Sequence, residues 1–369
     1  METLEDSAPA NVWLGDPLEG VDLGAVEIAA AEQAARPVAG VDDMASYLAT
    51  QVGDASHRDV LGPLLDGAGP SGVVVRRGTV LASWGDPTRV EMAFSVTKSV
   101  LSLVAGIAHD DGLLHLDEPV TRRVDLPQLA NPHGRLVTWR HLLDQTSQWE
   151  GELWGKPTSV DVQSTREGTE SAGGLPGAGW AYNDVRVNLA ALALTALLRS
   201  SLPDVLRERI LDPIGASTSW SWHGYPNSRI TLDDADDPDD PDDPDGADEA
   251  LTPVVSGGAH WGGGLWISAL DLARIGHLCL HRGTWGHGQV SPPRGSTSCG
   301  HRARSRRTTA CPGGSTTTGP SGRPPPQPGD VPAATAAGTC SGSTQPATSS
   351  SPHTGETTSS SSSTRSRTR

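Results

Sequence analysis

The feature that most constrains the fold is a long C-terminal stretch without large apolar residues. From Ser291 to Arg369 there is no Ile, Leu, Met, Phe, Trp or Tyr, and Ser, Thr, Pro, Gly, Ala and Arg make up 69 of the 79 residues. Such a stretch cannot bury enough apolar surface to offset the conformational entropy that folding removes. All 11 tryptophans of the 369-residue chain lie before it. The composition therefore predicts a globular part of about 290 residues followed by a disordered, low-complexity tail.

The origin of this tail has three interpretations: a native linker, a basic interaction arm with 9 Arg against 2 acidic residues, or a translation artefact. The chain has only 2 lysines against 26 arginines, which is typical of a GC-rich gene. Out-of-frame reading of GC-rich codons gives mostly Pro, Ala, Gly, Arg, Thr and Ser. Because the composition changes abruptly between Val290 and Ser291, we favour a frameshift near residue 290, with the C-terminal strands of the fold missing. Sequencing the locus tests this.

A second unusual segment is acidic. Asp and Glu fill 11 of the 17 positions from Asp233 to Glu249, and they supply most of the formal net charge of −16. The segment lacks the glycine of an EF-hand loop and the glycine-rich nonapeptide of calcium-binding β-rolls, so we favour a disordered insertion over a calcium site. The negative charge of the chain also argues against nucleic acid as the main partner.

Targeting and cofactor signals are absent from the sequence. The chain has no run of 18 apolar residues, and the acidic start from Met1 to Asp6 lacks the basic and apolar regions of a secretory signal. We therefore expect a cytoplasmic protein with no membrane partner. The four cysteines lack the spacing of metal or redox motifs, so no metal and no cofactor is expected.

Hydrophobic periodicity and capping residues predict the order of the elements. The predicted helices cover 25–35, 44–52, 95–109, 138–143, 185–198, 203–210 and 268–280; a hairpin covers 72–85, and 113–120 is a loop. No strand that would pair with the hairpin is apparent before residue 290. Since an isolated hairpin is only marginally stable, further strands are needed to complete the sheet.

The strongest chemical signal lies at the start of the predicted helix 95–109. Ser95 and Lys98 are three residues apart and therefore lie on one face of the helix, one turn from each other. The lysine amine can accept or relay the serine proton, and the positive end of the helix dipole favours negative charge on Ser95. A serine cap beside an exposed lysine is the alternative, but this is the only S-x-x-K in the chain, and it opens an apolar helix after a hairpin.

Three segments, Phe94–Ser99, Gly112–Val120 and His141–Ser147, resemble the serine β-lactamase/penicillin-binding-protein-like family. The likeness is greatest to the class C-like esterase and amidase branch, which includes 6-aminohexanoate-dimer hydrolase, and it covers about residues 70–290. It implies an α+β fold of the β-lactamase/transpeptidase type, with an antiparallel sheet flanked by helices and an all-helical region. The predicted organisation is an N-terminal extension (1–70), a hydrolase domain (71–290) carrying the acidic insertion (233–249), and the tail (291–369).

The resemblance assigns roles to Tyr182 and Asp184. The family's second motif is Y-x-N, and Tyr182-Asn183-Asp184 stands in its place. The resemblance implies that Tyr182 is a catalytic residue, acting as the base in acylation and returning a proton to the leaving group. It implies that Asp184 binds substrate, although a carboxylate here replaces an amide donor by an acceptor. A buried structural tyrosine before a capped helix is the alternative.

The family's third motif, K-T-G or H-x-G, has a literal match in this chain that stands in an unusual context. His260-Trp261-Gly262 matches H-x-G and makes His260 a candidate substrate-binding residue, but the next residues, 263–268, resemble the family's glycine-rich turn before a helix. We favour the interpretation that the motif belongs after residue 290 and is absent. In this family that strand supplies one oxyanion donor, and losing one such donor typically costs about 10²–10³ in rate.

The remaining aromatic and imidazole candidates have structural explanations. Trp149, Trp154, Trp220 and Trp222 are interpreted as core or loop-packing residues rather than an acyl pocket, and His141 as structural. The predicted function is a metal-free serine hydrolase that acts on a small ester or amide through an acyl-enzyme, with this chain inactive or poorly folded. Alternatives are a non-catalytic ligand-binding protein on the same scaffold and an arginine-rich anchor that binds an acidic surface.

Overall fold

The computed structural model describes residues 18–36, 44–51, 60–65, 69–160, 174–232, 251–258, 264–286 and 288–290. Three sequence predictions fall outside these ranges: the acidic insertion 233–249, the third-motif candidate His260 and the tail 291–369. They remain predictions.

Seven α-helices lie in the described ranges, and they confirm the helices predicted from periodicity. They are α1 (Leu23–Ala34), α2 (Met44–Gln51), α3 (Val96–Asp110), α4 (Trp139–Leu143), α5 (Asp184–Leu198), α6 (Leu202–Leu206) and α7 (Ala269–Leu280). Short 3₁₀ turns cover Val120–Arg122, Pro127–Leu129, Gly134–Leu136 and Thr158–Val160, and a π-helical turn, Arg207–Leu211, continues α6. The predicted loop 113–120 contains no α-helix.

Side-chain caps explain where several of these helices begin. The Ser268 side chain accepts a hydrogen bond from the backbone N–H of Asp271 at the start of α7, as its capping-box sequence predicts. Thr138 caps α4 by accepting from the backbone N–H of His141, and the His141 ring accepts in return from the backbone N–H of Thr138. This reciprocal cap gives His141 the structural role expected for it.

The strands form several small antiparallel sheets. They are β1 (Gly72–Arg76), β2 (Thr79–Trp84), β3 (Val90–Met92), β4 (Glu152–Leu153), β5 (Lys156–Pro157), β6 (Ser221–His223), β7 (Arg229–Thr231), β8 (Leu251–Pro253), β9 (Gly264–Ser268), β10 (Thr284–Trp285) and β11 (Gly288–Gln289). The predicted hairpin β1–β2 pairs with no further strand among the described residues, and a separate sheet has the order β3–β9–β6. Helices with antiparallel sheets confirm the α+β class.

Strand β9 corrects the sequence interpretation of residues 264–268 as a glycine-rich turn. All five of its residues are buried. Leu265 and Ile267 belong to the main core, whereas Trp266 packs on the other face with Met92 and Leu48. Because both faces are covered, the strand is a continuous apolar run rather than an alternating one, and the adjacent glycines made it look like a turn.

The main core lies between helices α3, α4 and α5, and β9 closes it on one side. Its fully buried residues include Leu101, Val104, Leu114, Leu142, Leu189 and Leu194. Trp149 and Trp222 are also buried in this core, while Trp154 and Trp220 are partly buried against it. The tryptophans therefore pack the core, as the sequence analysis favours.

None of the helices in the described ranges is both long and apolar enough to cross a membrane by itself. One bent pair, Asp184–Leu198 with Leu202–Leu211 at 76°, passes the test of length and composition. The first helix of that pair is buried in the core over most of its length.

Candidate active site

Ser95 stands between a strained residue and the first turn of α3. Phe94 has a φ of 46°, a value that residues other than glycine rarely adopt. The backbone on both sides is fixed to β9, because Ala93 donates to the Leu265 carbonyl and the Leu265 N–H donates to the Thr97 hydroxyl. The exposed Ser95 hydroxyl makes no capping bond to α3. It is instead directed towards Lys98 and Tyr182.

Lys98 lies one helical turn after Ser95, as the spacing predicts. Its Nζ donates to Ser95 Oγ over 3.0 Å and to the Gly258 carbonyl over 2.7 Å. It also forms an ion pair with Asp184 Oδ1 at 2.5 Å. The amine therefore sits at the centre of the site, with the hydroxyl on one side and two acceptors on the others.

Tyr182 completes the group. Its hydroxyl is 2.5 Å from Ser95 Oγ, and Lys98 Nζ lies 4.6 Å from the centre of its ring. The Trp180 ring is tilted against it at 6.2 Å between centroids. The Ser95 hydroxyl and the Lys98 amine, one helical turn apart, thus meet a phenol that is 87 positions away from Ser95 in the sequence.

Gln145 fixes the backbone on both sides of Tyr182, and the sequence analysis assigned it no role. Its carbonyl accepts from the Ala181 N–H over 3.0 Å, and its side-chain Oε1 accepts from the Asn183 N–H over 2.8 Å. Asn183 in turn caps α5 through the Arg186 N–H. A signal was available, since Gln145 lies in one of the three family-like segments, but nothing in that segment indicates which loop it holds.

The ion pair between Lys98 and Asp184 controls the charge at the site. Burial alone would lower the pKa of Lys98, but the charge of Asp184, assisted by Tyr182, outweighs it, and the pKa of Lys98 is raised. Burial raises the pKa of the Asp184 carboxyl, and the Lys98 ammonium opposes this. The pair is therefore a closely coupled one whose two charges stabilise each other in a site with little solvent.

The segment from Val254 to Gly258 packs against α3 and α5 beside the site, and sequence reasoning missed its contribution. The Asn188 side-chain oxygen accepts from the Ser256 hydroxyl and from the Gly258 N–H. A Cβ on Gly258 would lie 2.5 Å from the Asp184 carbonyl oxygen, so this position requires glycine for the close approach to α5. The segment thereby aims the Gly258 carbonyl at Lys98.

The structure thus brings together four of the five predicted site residues: Ser95, Lys98, Tyr182 and Asp184. The fifth, His260, lies outside the described residues. Within the described ranges, no group of three or more His, Cys, Asp or Glu side chains could hold a metal ion. A nucleophile for acyl transfer needs a proton carrier within hydrogen-bonding distance, and this group of residues offers a hydroxyl, an amine and a phenol at that distance.

Several solved structures are similar to this chain. At 20% identity, a putative β-lactamase from Bacteroides dorei DSM 17855 aligns over 62% of this chain and 63% of its own, with a TM-score of 0.43. A penicillin-binding protein homologue from Pyrococcus abyssi (20% identity; 62% and 55%; TM-score 0.41) and a putative 6-aminohexanoate-dimer hydrolase from Bacillus anthracis (16%; 62% and 58%; 0.41) are also similar. The chain spans between 55% and 63% of these three structures.

No curated protein sequence matches the chain. The profile of the family described as "Beta-lactamase" matches residues 58–324, which include every site residue above. The match extends over more than half of the chain, and the helices, antiparallel sheets and S-x-x-K helix agree with it. The chain belongs to the β-lactamase family and has the β-lactamase/transpeptidase-like fold.

Proposed function

We propose that this protein is a serine hydrolase that cleaves a small ester or amide through an acyl-enzyme on Ser95. The observation that carries the proposal is that Lys98 Nζ and the Tyr182 hydroxyl both lie within 3.0 Å of Ser95 Oγ. Each group has a chemical role in acyl transfer. The proposed reaction involves neither a metal nor a cofactor.

In the proposed reaction Tyr182 reacts as the phenolate: the Ser95 oxygen attacks the substrate carbonyl, and its proton passes to the phenolate oxygen. The new bond joins Oγ to the acyl carbon, and the carbonyl electron pair moves onto the oxygen. When the tetrahedral intermediate collapses, the bond to the leaving group breaks and Tyr182 returns the proton to that group. Water then attacks the acyl carbon and gives a proton to Tyr182; when the bond to Oγ breaks, the acid leaves and Tyr182 returns that proton to Ser95.

Two structural features favour a nucleophilic role for Ser95 over a structural one. A serine at a helix N-cap usually binds the backbone of the first turn, whereas the Ser95 hydroxyl is directed to Lys98 and Tyr182. In addition, the strained Phe94 precedes it, and strain of this kind clusters at functional sites.

A fluorophosphonate probe tests the proposal on the 369-residue chain. Labelling at a single site in the wild type, lost in Ser95→Ala, supports it and overturns the prediction that this chain is inactive. Ser99→Ala is the matched control because Ser99 is an exposed serine on the same helix, and it should label normally. Thermal unfolding of each protein verifies that it is folded.

A folded chain that resists labelling would contradict the proposal and favour the non-catalytic scaffold. In that case an acyl or peptide ligand should raise the melting temperature without being consumed. The cytoplasmic location and the absence of nucleic-acid and membrane partners remain predictions from the sequence, which cell fractionation tests.

A further inference from the structure

Lys98 is in contact mainly with groups that accept hydrogen bonds and cannot donate them. Two of its partners, the Asp184 carboxylate and the Gly258 carbonyl, can only accept hydrogen bonds. Its Nζ also donates to the Ser95 hydroxyl and lies over the Tyr182 ring. The negative charge of Asp184, 2.5 Å from Nζ, favours the ammonium form of Lys98. Lys98 would have to lose a proton to this environment before it could take one from Ser95.

Asp184 is built into α5 rather than exposed to the cleft. It is the first residue of the helix, and only 5% of its surface is exposed. The backbone of Gly258 packs against its Cα and Cβ so closely that a methyl group would not fit. A substrate would have to displace this packing to contact the carboxylate, whereas Lys98 already does.

We propose that Asp184 is a positioning residue that keeps Lys98 in the ammonium form and holds it between Ser95 and the Gly258 carbonyl. This inference rests on the proposed function for its catalytic meaning. Lys98 then stabilises negative charge on the oxygens of Ser95 and Tyr182, and Tyr182 is the group that takes the serine proton. The role differs from the substrate-binding role that the family resemblance implies for Asp184.

The groups that act on the charge of Lys98 are few. Among the described residues they are the Asp184 carboxyl on α5 and the Tyr182 phenol just before it. Asp184→Asn removes the charge but keeps an oxygen of similar geometry as acceptor. Burial, which lowers the pKa of Lys98, is then no longer opposed by a carboxylate. The variant therefore separates the charge of Asp184 from its shape.

The two lysines of the chain allow a direct measurement, because protein labelled with ¹³C at lysine Cε gives only two side-chain signals. Lys156→Arg assigns them by removing one. In the wild type we expect the Lys98 signal to titrate above the ordinary range of lysine, because the charge of Asp184 outweighs burial and raises the pKa of Lys98. In Asp184→Asn its titration should move to lower pH by at least about one pH unit.

This titration separates a failure of the inference from a failure of the proposed function, since it needs no activity. A wild-type Lys98 that titrates near neutral pH, or an Asp184→Asn variant that leaves the titration unchanged, overturns the inference. Absence of Ser95-dependent labelling overturns only the proposed function. An unfolding transition near that of the wild type shows that the Asp184→Asn variant is folded.

A second readout uses the rate of acylation by the fluorophosphonate probe against pH. In Asp184→Asn the rate relative to wild type should fall, by about tenfold for each pH unit above the midpoint at which Lys98 of the variant titrates, because Lys98 loses its proton there. A variant whose ratio to wild type is constant with pH, but whose KM for an amide substrate rises, would instead support substrate binding by Asp184 and contradict the inference.

Discussion

The helical side of the molecule and its sheet side contribute differently to the site. The helical side, α3 to α6, supplies Ser95 and Lys98 from the start of one helix and Asp184 from the start of another, with Tyr182 just before it. The sheet side, β3–β9–β6 with α7 and β1–β2, supplies backbone: β9 fixes the start of α3. The side chains of the candidate site thus come from the starts of α3 and α5 and from the residues just before them, while β9 fixes the start of α3.

The difference between the two sides shows which distance in the molecule has to be set precisely. The N-terminal ends of α3 and α5 must meet at hydrogen-bond distance, although 87 residues separate Ser95 from Tyr182. Helix packing alone leaves helices free to slide along their ridges. The backbone bonds to β9 and the close approach of Gly258 to α5 remove that freedom. The following predictions separate the contribution of each side.

The largest effect is expected on the helical side, from Tyr182→Phe. The substitution keeps the ring over Lys98 and removes only the hydroxyl that lies 2.5 Å from Ser95 Oγ. Loss of a proton carrier should slow acylation about 10²–10⁴-fold with little change in the free energy of unfolding. Stopped-flow labelling with the fluorophosphonate probe measures this.

Tyr225→Phe is the matched control, since Tyr225 lies beside Trp154 and Lys156 rather than at Ser95. Its labelling rate should stay within about threefold of the wild type, because no proton carrier is lost. If Tyr182→Phe labels as fast as the wild type, the phenol does not transfer the serine proton, and the helical side supplies only the serine–lysine pair.

A smaller effect is expected from Gly258→Ala, which perturbs the backbone that faces the helices. The new Cβ would lie 2.5 Å from the Asp184 carbonyl oxygen and 2.8 Å from its Cα. Because backbone cannot yield as a side chain does, the Gly258 carbonyl should move away from Lys98. We expect a loss of about 1–3 kcal/mol in unfolding free energy and about 10–10²-fold slower labelling.

Gly257→Ala serves as the comparison for this change. Its Cβ would first meet the end of the Leu101 side chain, at 2.7 Å, which can adjust more easily. It should therefore lose stability but retain more of the labelling rate than Gly258→Ala. Equal losses of rate in the two variants would mean that the segment matters only for packing.

The sequence predicts the helical side well because its information is local. The apolar repeats of α3 and α5 lie within the elements that they define. Strands β3, β6 and β9 are three to five residues long, and Ser221 pairs with Trp266 across 45 residues of sequence. No local pattern specifies such a pairing, so the sheet was missed.

The residues of the site also fall into two groups, those that a local sequence pattern predicts and those that it does not. The spacing of Ser95 and Lys98 reveals their contact, whereas Tyr182 was placed by family resemblance alone. Gln145, Asn188 and Gly258 were missed because they act on residues 38, 70 and 160 positions away in the chain. Two of them act partly through backbone atoms, which carry no mark in the sequence.

The smallest effect is expected on the sheet side, from the protonation of His277 on α7. Burial, together with the nearby His281, lowers the pKa of His277 to about 4, and its ring meets Trp285 edge-on at 5.4 Å. Between pH 6.5 and pH 4 the unfolded chain therefore binds a proton that the folded chain does not. The free energy of unfolding should fall by about 2 kcal/mol over that interval.

Urea unfolding followed by tryptophan fluorescence between pH 7.5 and pH 4.5 measures this loss. His277→Phe keeps a ring in the same place but cannot be protonated, so its stability should depend less on pH than that of the wild type. Replacing the exposed His115 of the helical side with Gln is the control and should leave the wild-type dependence intact. If the free energies of unfolding of His277→Phe and the wild type fall in parallel with pH, the acid sensitivity does not arise at α7 on the sheet side.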